Sequence, residues 1–135
     1  MNGLCEAAFA SKEEKEKTTK EAVTFAEEQF VVSAEIMARQ MYELAVRNGF
    51  WEGEINDAEK IALMHSELSE ALEAMRHGNP PDDKIPEYSS VEAELADCVI
   101  RIFDFAQARG LRVSEAIVAK HKFNLTRPYK HGKKF

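Results

Sequence analysis

Residues 56–78, NDAEKIALMHSELSEALEAMRHG, decide the fold. Asn56 and Glu59 stand three apart at the start, the pattern in which a short polar side chain satisfies the first free backbone N–H groups of a helix. Ile61, Met64, Leu68, Leu72 and Met75 then recur at spacings of three and four, the period of an amphipathic helix, and Gly78 supplies the stop. Nothing in the stretch alternates with the period of two that a strand requires.

The same signals recur on both sides. Thr24 and Glu27 predict a capping box opening a first helix that runs to about Arg47, where Asn48-Gly49 tolerate a left-handed C-terminal cap. Asn79-Pro80-Pro81-Asp82-Asp83 and Pro86 predict a polar loop, because proline removes a donor and restricts the residue before it. Ser89 and Glu92 open a third helix that carries Leu95, Cys98, Val99, Ile102, Phe105 and Ala106 and closes near Arg109-Gly110. A fourth begins around Ser114 and stops before Arg127-Pro128. Residues 1–23, with the run Lys12 to Lys17, lack an apolar face and read as a flexible charged leader to one domain over 24–135. The expected fold is all-α, an antiparallel four-helix bundle.

Bulk composition agrees with one globular domain. The 135 residues are 44% hydrophobic and 31% charged, and only four prolines and six glycines interrupt them. No run approaches the roughly 20 apolar residues of a membrane span, and the short patch from Leu4 to Ala10 contains a glutamate, so neither signal peptide nor anchor is expected. Cys5 and Cys98 have no metal-site spacing, and reduced thiols in a cytoplasmic protein are the expectation. The net charge of −6 is uneven: from Lys120 to Phe135 there are six basic residues and no acidic one, leaving the remainder at −12.

The acidic side carries a pattern. Glu67 and Glu70 lie roughly 60° apart on a helix and flank the apolar stripe, whereas Glu73 points outward. On the third helix Glu94, Asp97, Arg101 and Asp104 form a second stripe. Antiparallel packing would set the two stripes face to face, and unpartnered carboxylates brought together repel and resist ionisation. Arg101 can neutralise one charge, which is the purely structural explanation. A hard divalent cation, which takes oxygen ligands and keeps waters and phosphates, accounts for the whole set. No Cys or His accompanies the four acids, against zinc, and the Glu-x-x-His pairs of a di-iron bundle are missing.

On the fourth helix Lys120 and Asn124 share a face, followed by Arg127 and the tail through Lys134. Lysine and arginine make charge-assisted contacts to phosphate. The acidic body would repel a long nucleic-acid polymer, whereas a metal-bridged triphosphate fits between the two charges.

In this ordered combination, Glu67-x-x-Glu70, Glu94-x-x-Asp97, Lys120-x-x-x-Asn124 and Arg127-Pro128, the chain resembles the MazG-like members of the all-alpha NTP pyrophosphohydrolase superfamily over residues 24–135. Ser66 stands where many members carry a further glutamate. The resemblance implies hydrolysis of a nucleoside triphosphate, a deoxynucleoside triphosphate in particular, to monophosphate and pyrophosphate for pool sanitation or redirection. It implies magnesium, with manganese able to substitute, held by Glu67, Glu70, Glu94 and Asp97 as the catalytic set. Lys120, Asn124 and Arg127 would hold phosphates, and Trp51 would stack on the base or else lid the helices. It also implies a homodimer or homotetramer, in keeping with Phe30, Met37, Met41 and Leu44 left exposed on helix one. The competing reading is a non-catalytic helical module that binds nucleotides or protein partners.

Overall fold

A Lys-, Glu- and Ala-rich run without Gly or Pro needs little more than a cap to become helix. In the computed structural model, which describes residues 11–128, Ser11 supplies it. The Ser11 hydroxyl accepts from the Glu14 N–H at 3.2 Å, and the Glu14 carboxylate accepts from the Ser11 N–H at 2.7 Å. Helix α1 accordingly spans Lys12–Arg47, 36 residues. That corrects the expected start at Thr24, which lies inside the helix with its hydroxyl donating to the Lys20 carbonyl at 3.0 Å. Pairs four apart, Lys12–Glu16 and Lys17–Glu21, accompany the first turns; such pairs and high intrinsic propensity support those turns, which have no apolar face. The first ten residues of the expected leader, Cys5 among them, lie outside the described residues.

The other elements fall where their caps place them. α2 is Asp57–Arg76, opened by the Asn56 side chain accepting from Ala58 and Glu59 N–H groups. α3 is Ser90–Arg109, opened by the Ser89/Glu92 box and closed by Gly110 in the left-handed region at φ 64°. α4 is Val113–Leu125 and has no side-chain cap at Arg112. Gly49, at φ 81°, makes the left-handed turn that ends α1. Apart from an isolated antiparallel bridge between Pro81 and Ser89, the described residues contain no extended pairing. The fold is all-α, and among the described residues no helix is long and apolar enough to cross a membrane.

Long-range contacts set the order of the helices. Arg109 reaches Asp57, Arg101 reaches Glu67, and the Val91 N–H reaches the Asn79 side chain, so α2 and α3 run antiparallel along their whole length. α3 also packs antiparallel to the C-terminal half of α1, with Ala34 and Ala38 near Phe103 and Ala106, and Ala45 and Asn48 near Asp97. α4 packs on α1 as well, but along its N-terminal half, where Lys122 Nζ meets Glu27 Oε2 at 2.6 Å. α3 and α4 therefore follow one another along α1.

The packed faces are lined by small side chains. Among the described residues the buried apolar positions are Ala34, Ala38, Ala71, Ala93, Cys98 and Ala106, and no large side chain is fully buried. Small residues let helices approach closely, while the large apolar side chains flanking them stay partly in solvent.

Candidate metal centre

Two short turns bring the acidic stripes together. At the α2–α3 connection Asp82 is buried and its Oδ1 accepts from the Lys84 and Ile85 N–H groups, both at 2.9 Å. Those bonds hold its carboxyl below the usual aspartate range. Asn79 Oδ1 accepts from the Val91 N–H at 3.0 Å, so the first turn of α3 is tied to the last residues after α2. Glu94 sits one turn into α3 and thereby comes opposite Glu67 and Glu70.

Glu67, Glu70 and Glu94 each offer a carboxylate oxygen, and these three oxygens lie within 4.8 Å of one another. Glu67 is 5% exposed, the most buried acidic residue among those described. Its Oε1 accepts from Arg101 Nε at 2.5 Å. Glu94 is half-buried, and its carboxyl is held above the ordinary glutamate range. Burial is the first cause, followed by the Glu70 charge, contact with Glu67 and its charge, and Asp97. Glu73 points away and pairs with Arg76 at 3.3 Å.

Asp97 stands apart from this trio. It is exposed, one turn along α3, and lines a neighbouring cleft of about 510 Å³. The cleft has apolar walls, including Met41, Phe50 and Ile100, and a polar edge of Lys60, Asp97, Arg101 and Asp104. Arg101 thus touches both the buried glutamate and the cleft.

Trp51 lies beside that cleft in a network that sequence spacing does not reveal. Its Nε1–H donates to Asp104 Oδ1 at 2.8 Å, across 53 positions of chain. Lys60 Nζ stands 4.2 Å from the ring centroid and also donates to the Phe50 carbonyl at 2.9 Å. Tyr42 meets the ring edge-on at 5.8 Å, and the Arg109 guanidinium is 5.3 Å from it. Burial pushes the Asp104 carboxyl up, partly offset by the Trp51 hydrogen bond and the charges of Lys60 and Arg101. Lys60 and Arg109 had no sequence signal, since neither forms a spaced pair with its partner.

Lys120, Asn124 and Arg127 are exposed on and just beyond α4, with Lys120 and Arg127 both close to the Phe123 ring. They do not meet the carboxylates of their own chain. Lys122 is level with Glu27 of α1 and Asp97 is level with Ala45 and Asn48. At about 1.5 Å per residue those levels are roughly 30 Å apart. The remainder of the basic tail, from Tyr129 to Lys134, lies outside the described residues.

Comparison with protein-family models, with curated proteins and with solved structures finds no match to this chain.

Proposed function

We propose that this chain is a magnesium-dependent nucleoside-triphosphate pyrophosphohydrolase, using water to cleave the bond between the α- and β-phosphates and releasing a monophosphate and pyrophosphate. The observation that carries the reading is the convergence of Glu67, Glu70 and Glu94 from two helices, with Arg101 joining Glu67 to a neighbouring apolar-walled cleft.

The donor set fits a hard cation. Magnesium binds oxygens at about 2.0–2.1 Å in an octahedron, so its ligands stand about 3–4 Å from one another, and three oxygens within 4.8 Å need only small side-chain adjustments to meet that demand. Glu67, Glu70 and Glu94 would hold the ion, with Asp97 as the ligand on the cleft side. When bound, magnesium neutralises phosphate charge and polarises a phosphoryl oxygen.

The chain's own groups have distinct tasks. Arg101 fixes the orientation of the Glu67 carboxylate, which keeps acceptor capacity because a carboxylate has about four lone-pair sites. Burial and the neighbouring carboxylates hold the Glu94 carboxyl above the ordinary glutamate range, so protons compete with a cation there. Lys60 and Arg101 bring positive charge to the cleft edge, and the apolar walls suit a nucleobase. The body of the chain is acidic and disfavours a polymer, which supports a small triphosphate; the preference for a deoxynucleotide rests on the family resemblance alone.

A pyrophosphate-release assay over the common ribo- and deoxynucleoside triphosphates, with magnesium or manganese, tests the reading. The wild type should release pyrophosphate from at least one, and Glu70→Gln should lower the rate by about a hundredfold or more, since even indirect support of a metal is worth 10–100-fold. No release from any substrate would sink the proposal, and an undiminished Glu70→Gln rate would remove Glu70 from the site.

A further inference from the structure

Away from the carboxylates, the corner between α3 and α4 folds against the middle of α1 around a second cavity, of about 200 Å³. Its walls include Ala34, Arg39, Phe103, Ala106, Arg112 and Ser114. Ala106 lies about 18 Å along α3 from Glu94, at about 1.5 Å per residue, and the cavity shares no lining residue with the cleft beside Asp97.

This corner holds donors that the chain leaves unspent. At the end of α3 the Ala106 and Gln107 carbonyls already accept from the Leu111 and Gly110 N–H groups, at 2.8 and 3.3 Å. At the start of α4 no side chain caps the helix. The Val113 N–H bonds to the Leu111 carbonyl at 3.0 Å, while the N–H groups of Ser114 and Glu115 have no acceptor among the described residues. First-turn N–H groups point out along the helix axis and carry its positive end, here toward residues 110–112, which wall the cavity.

Ser114 is the second, independent sign of a ligand. It is 4% exposed, and its hydroxyl has no hydrogen-bond partner among the described residues. No enclosed side-chain oxygen or nitrogen among them lacks a partner, so the Ser114 hydroxyl opens onto the cavity that it lines. A polar group buried without a partner costs stability, and an acceptor placed in the cavity removes that cost. Arg39, on the α1 wall, makes no ion pair among the described residues.

The side chains of opposite sign are the ones that can leave. Glu115 pairs with Arg112 at 3.2 Å, and Glu35 stands one turn before Arg39. Both acids are exposed, and exposed pairs are weakly held, so either carboxylate can turn to solvent. The backbone N–H groups and the Ser114 hydroxyl are fixed in place. What stays is a set of donors and guanidinium charge, which matches an anion rich in acceptor oxygens.

We infer that the α3–α4 corner binds a phosphate group, free or carried on a small metabolite, through the Ser114 hydroxyl, the Ser114 and Glu115 N–H groups, Arg39 and Arg112. Helix N-termini and guanidinium groups are both suited to phosphate oxygens. The site does not rest on the pyrophosphohydrolase reading, and it needs no divalent cation.

Amide NMR on the isotope-labelled chain tests this. Inorganic phosphate is titrated in one arm and glycerol phosphate in another, at constant ionic strength and with EDTA to keep metal from the acidic trio. The Ser114 and Glu115 amide signals should shift saturably in at least one arm, and the tighter probe tells free phosphate from an ester. Arg39→Gln and Ser114→Ala should each weaken binding about tenfold or more, as loss of a hydrogen bond to a charged group does. Glu35→Gln should tighten it, and Lys120→Ala/Arg127→Ala, at the far end of α4, should leave it unchanged. Arg39 is exposed on a helix surface, so Arg39→Gln carries the test if Ser114→Ala does not fold. Absence of a saturable shift with both probes overturns the site. So does an unchanged affinity in Arg39→Gln, or binding lost in Lys120→Ala/Arg127→Ala, since either places the anion elsewhere.

Discussion

Arg101 donates from Nε to Oε1 of Glu67 at 2.5 Å, and it is the one cation bound to the most buried carboxylate among the described residues. The pair joins α3 to α2 at the level of the acidic trio, and the guanidinium is itself about two-fifths exposed, at 41%. Its value lies in what it leaves behind when removed: a buried glutamate with its charge uncompensated.

Arg101→Ala is therefore expected to destabilise the metal-free protein by about 1–3 kcal/mol, the range for a hydrogen bond to a buried charged group with some solvent access. Magnesium should restore more stability to the variant than it adds to wild type, because the cation replaces the missing positive charge. Urea unfolding with and without magnesium measures both. Equal magnesium increments in the two proteins would separate Arg101 from the metal centre.

The pH dependence of magnesium binding follows from Glu94. Its carboxyl titrates above the ordinary value of 4.5 in the folded chain, so the native state binds that proton more tightly than the unfolded state does. The resulting stabilisation is fully present below 4.5 and is lost as the pH rises through the folded value. Above that window the anionic cluster weakens the metal-free protein, and a divalent cation relieves it. The rise in Tm on adding magnesium is expected to be large near neutrality and to shrink on acidification toward the Glu94 range. Glu94→Gln should raise the Tm of the metal-free protein and abolish most of the magnesium increment.

Trp51 is the sole tryptophan of the chain, so intrinsic fluorescence reports on that ring alone. Its indole N–H is committed to Asp104 and its ring to Lys60 and Tyr42. These contacts make it an anchor for the loop after α1, and Trp51→Phe is expected to cost about 1–3 kcal/mol by leaving part-buried Asp104 without its donor. Titration with a magnesium–triphosphate complex distinguishes anchoring from base stacking: an anchored ring changes emission little, whereas a stacked ring is strongly quenched.

Ser89→Ala should cost about 0.5–2 kcal/mol through loss of the cap that starts α3. The Ser89 hydroxyl and N–H hold the Glu92 carboxyl below its usual range, and that box lies less than two turns from Glu94. Magnesium affinity should fall with the frayed turn, and Ser89→Thr, which keeps a hydroxyl to cap the helix and donate to Glu92, should restore it. Calorimetric titration with magnesium gives the comparison.

Local chemistry was legible in the sequence and distance was not. Asn56, Ser89, Gly49 and Gly110 mark their helix ends because capping depends on residues within a turn of each other. Glu67 and Glu94 are close because both border the apolar face of antiparallel helices, and the helical period alone indicates that much. The start of α1 escaped detection because its first turns are held by charge pairs and propensity instead of burial. The separation of Lys120, Asn124 and Arg127 from the acids escaped it too: which half of α1 receives α4 depends on contacts such as Lys122–Glu27, whose members are far apart in the chain. Trp51 and Asp104, brought together across 53 positions, belong with it.

α1 runs from Lys12 to Arg47 without a glycine or a proline, and this makes it a ruler whose graduations are turns. Inserting one residue near Ser33 would rotate the end that carries α4 by about 100° against the end that carries α2 and α3. Inserting seven would shift it by two turns and nearly restore its facing. Length changes in the middle of this helix should therefore be tolerated in steps of seven and rejected in steps of one or two, while the connection at residues 79–88 is free of that arithmetic.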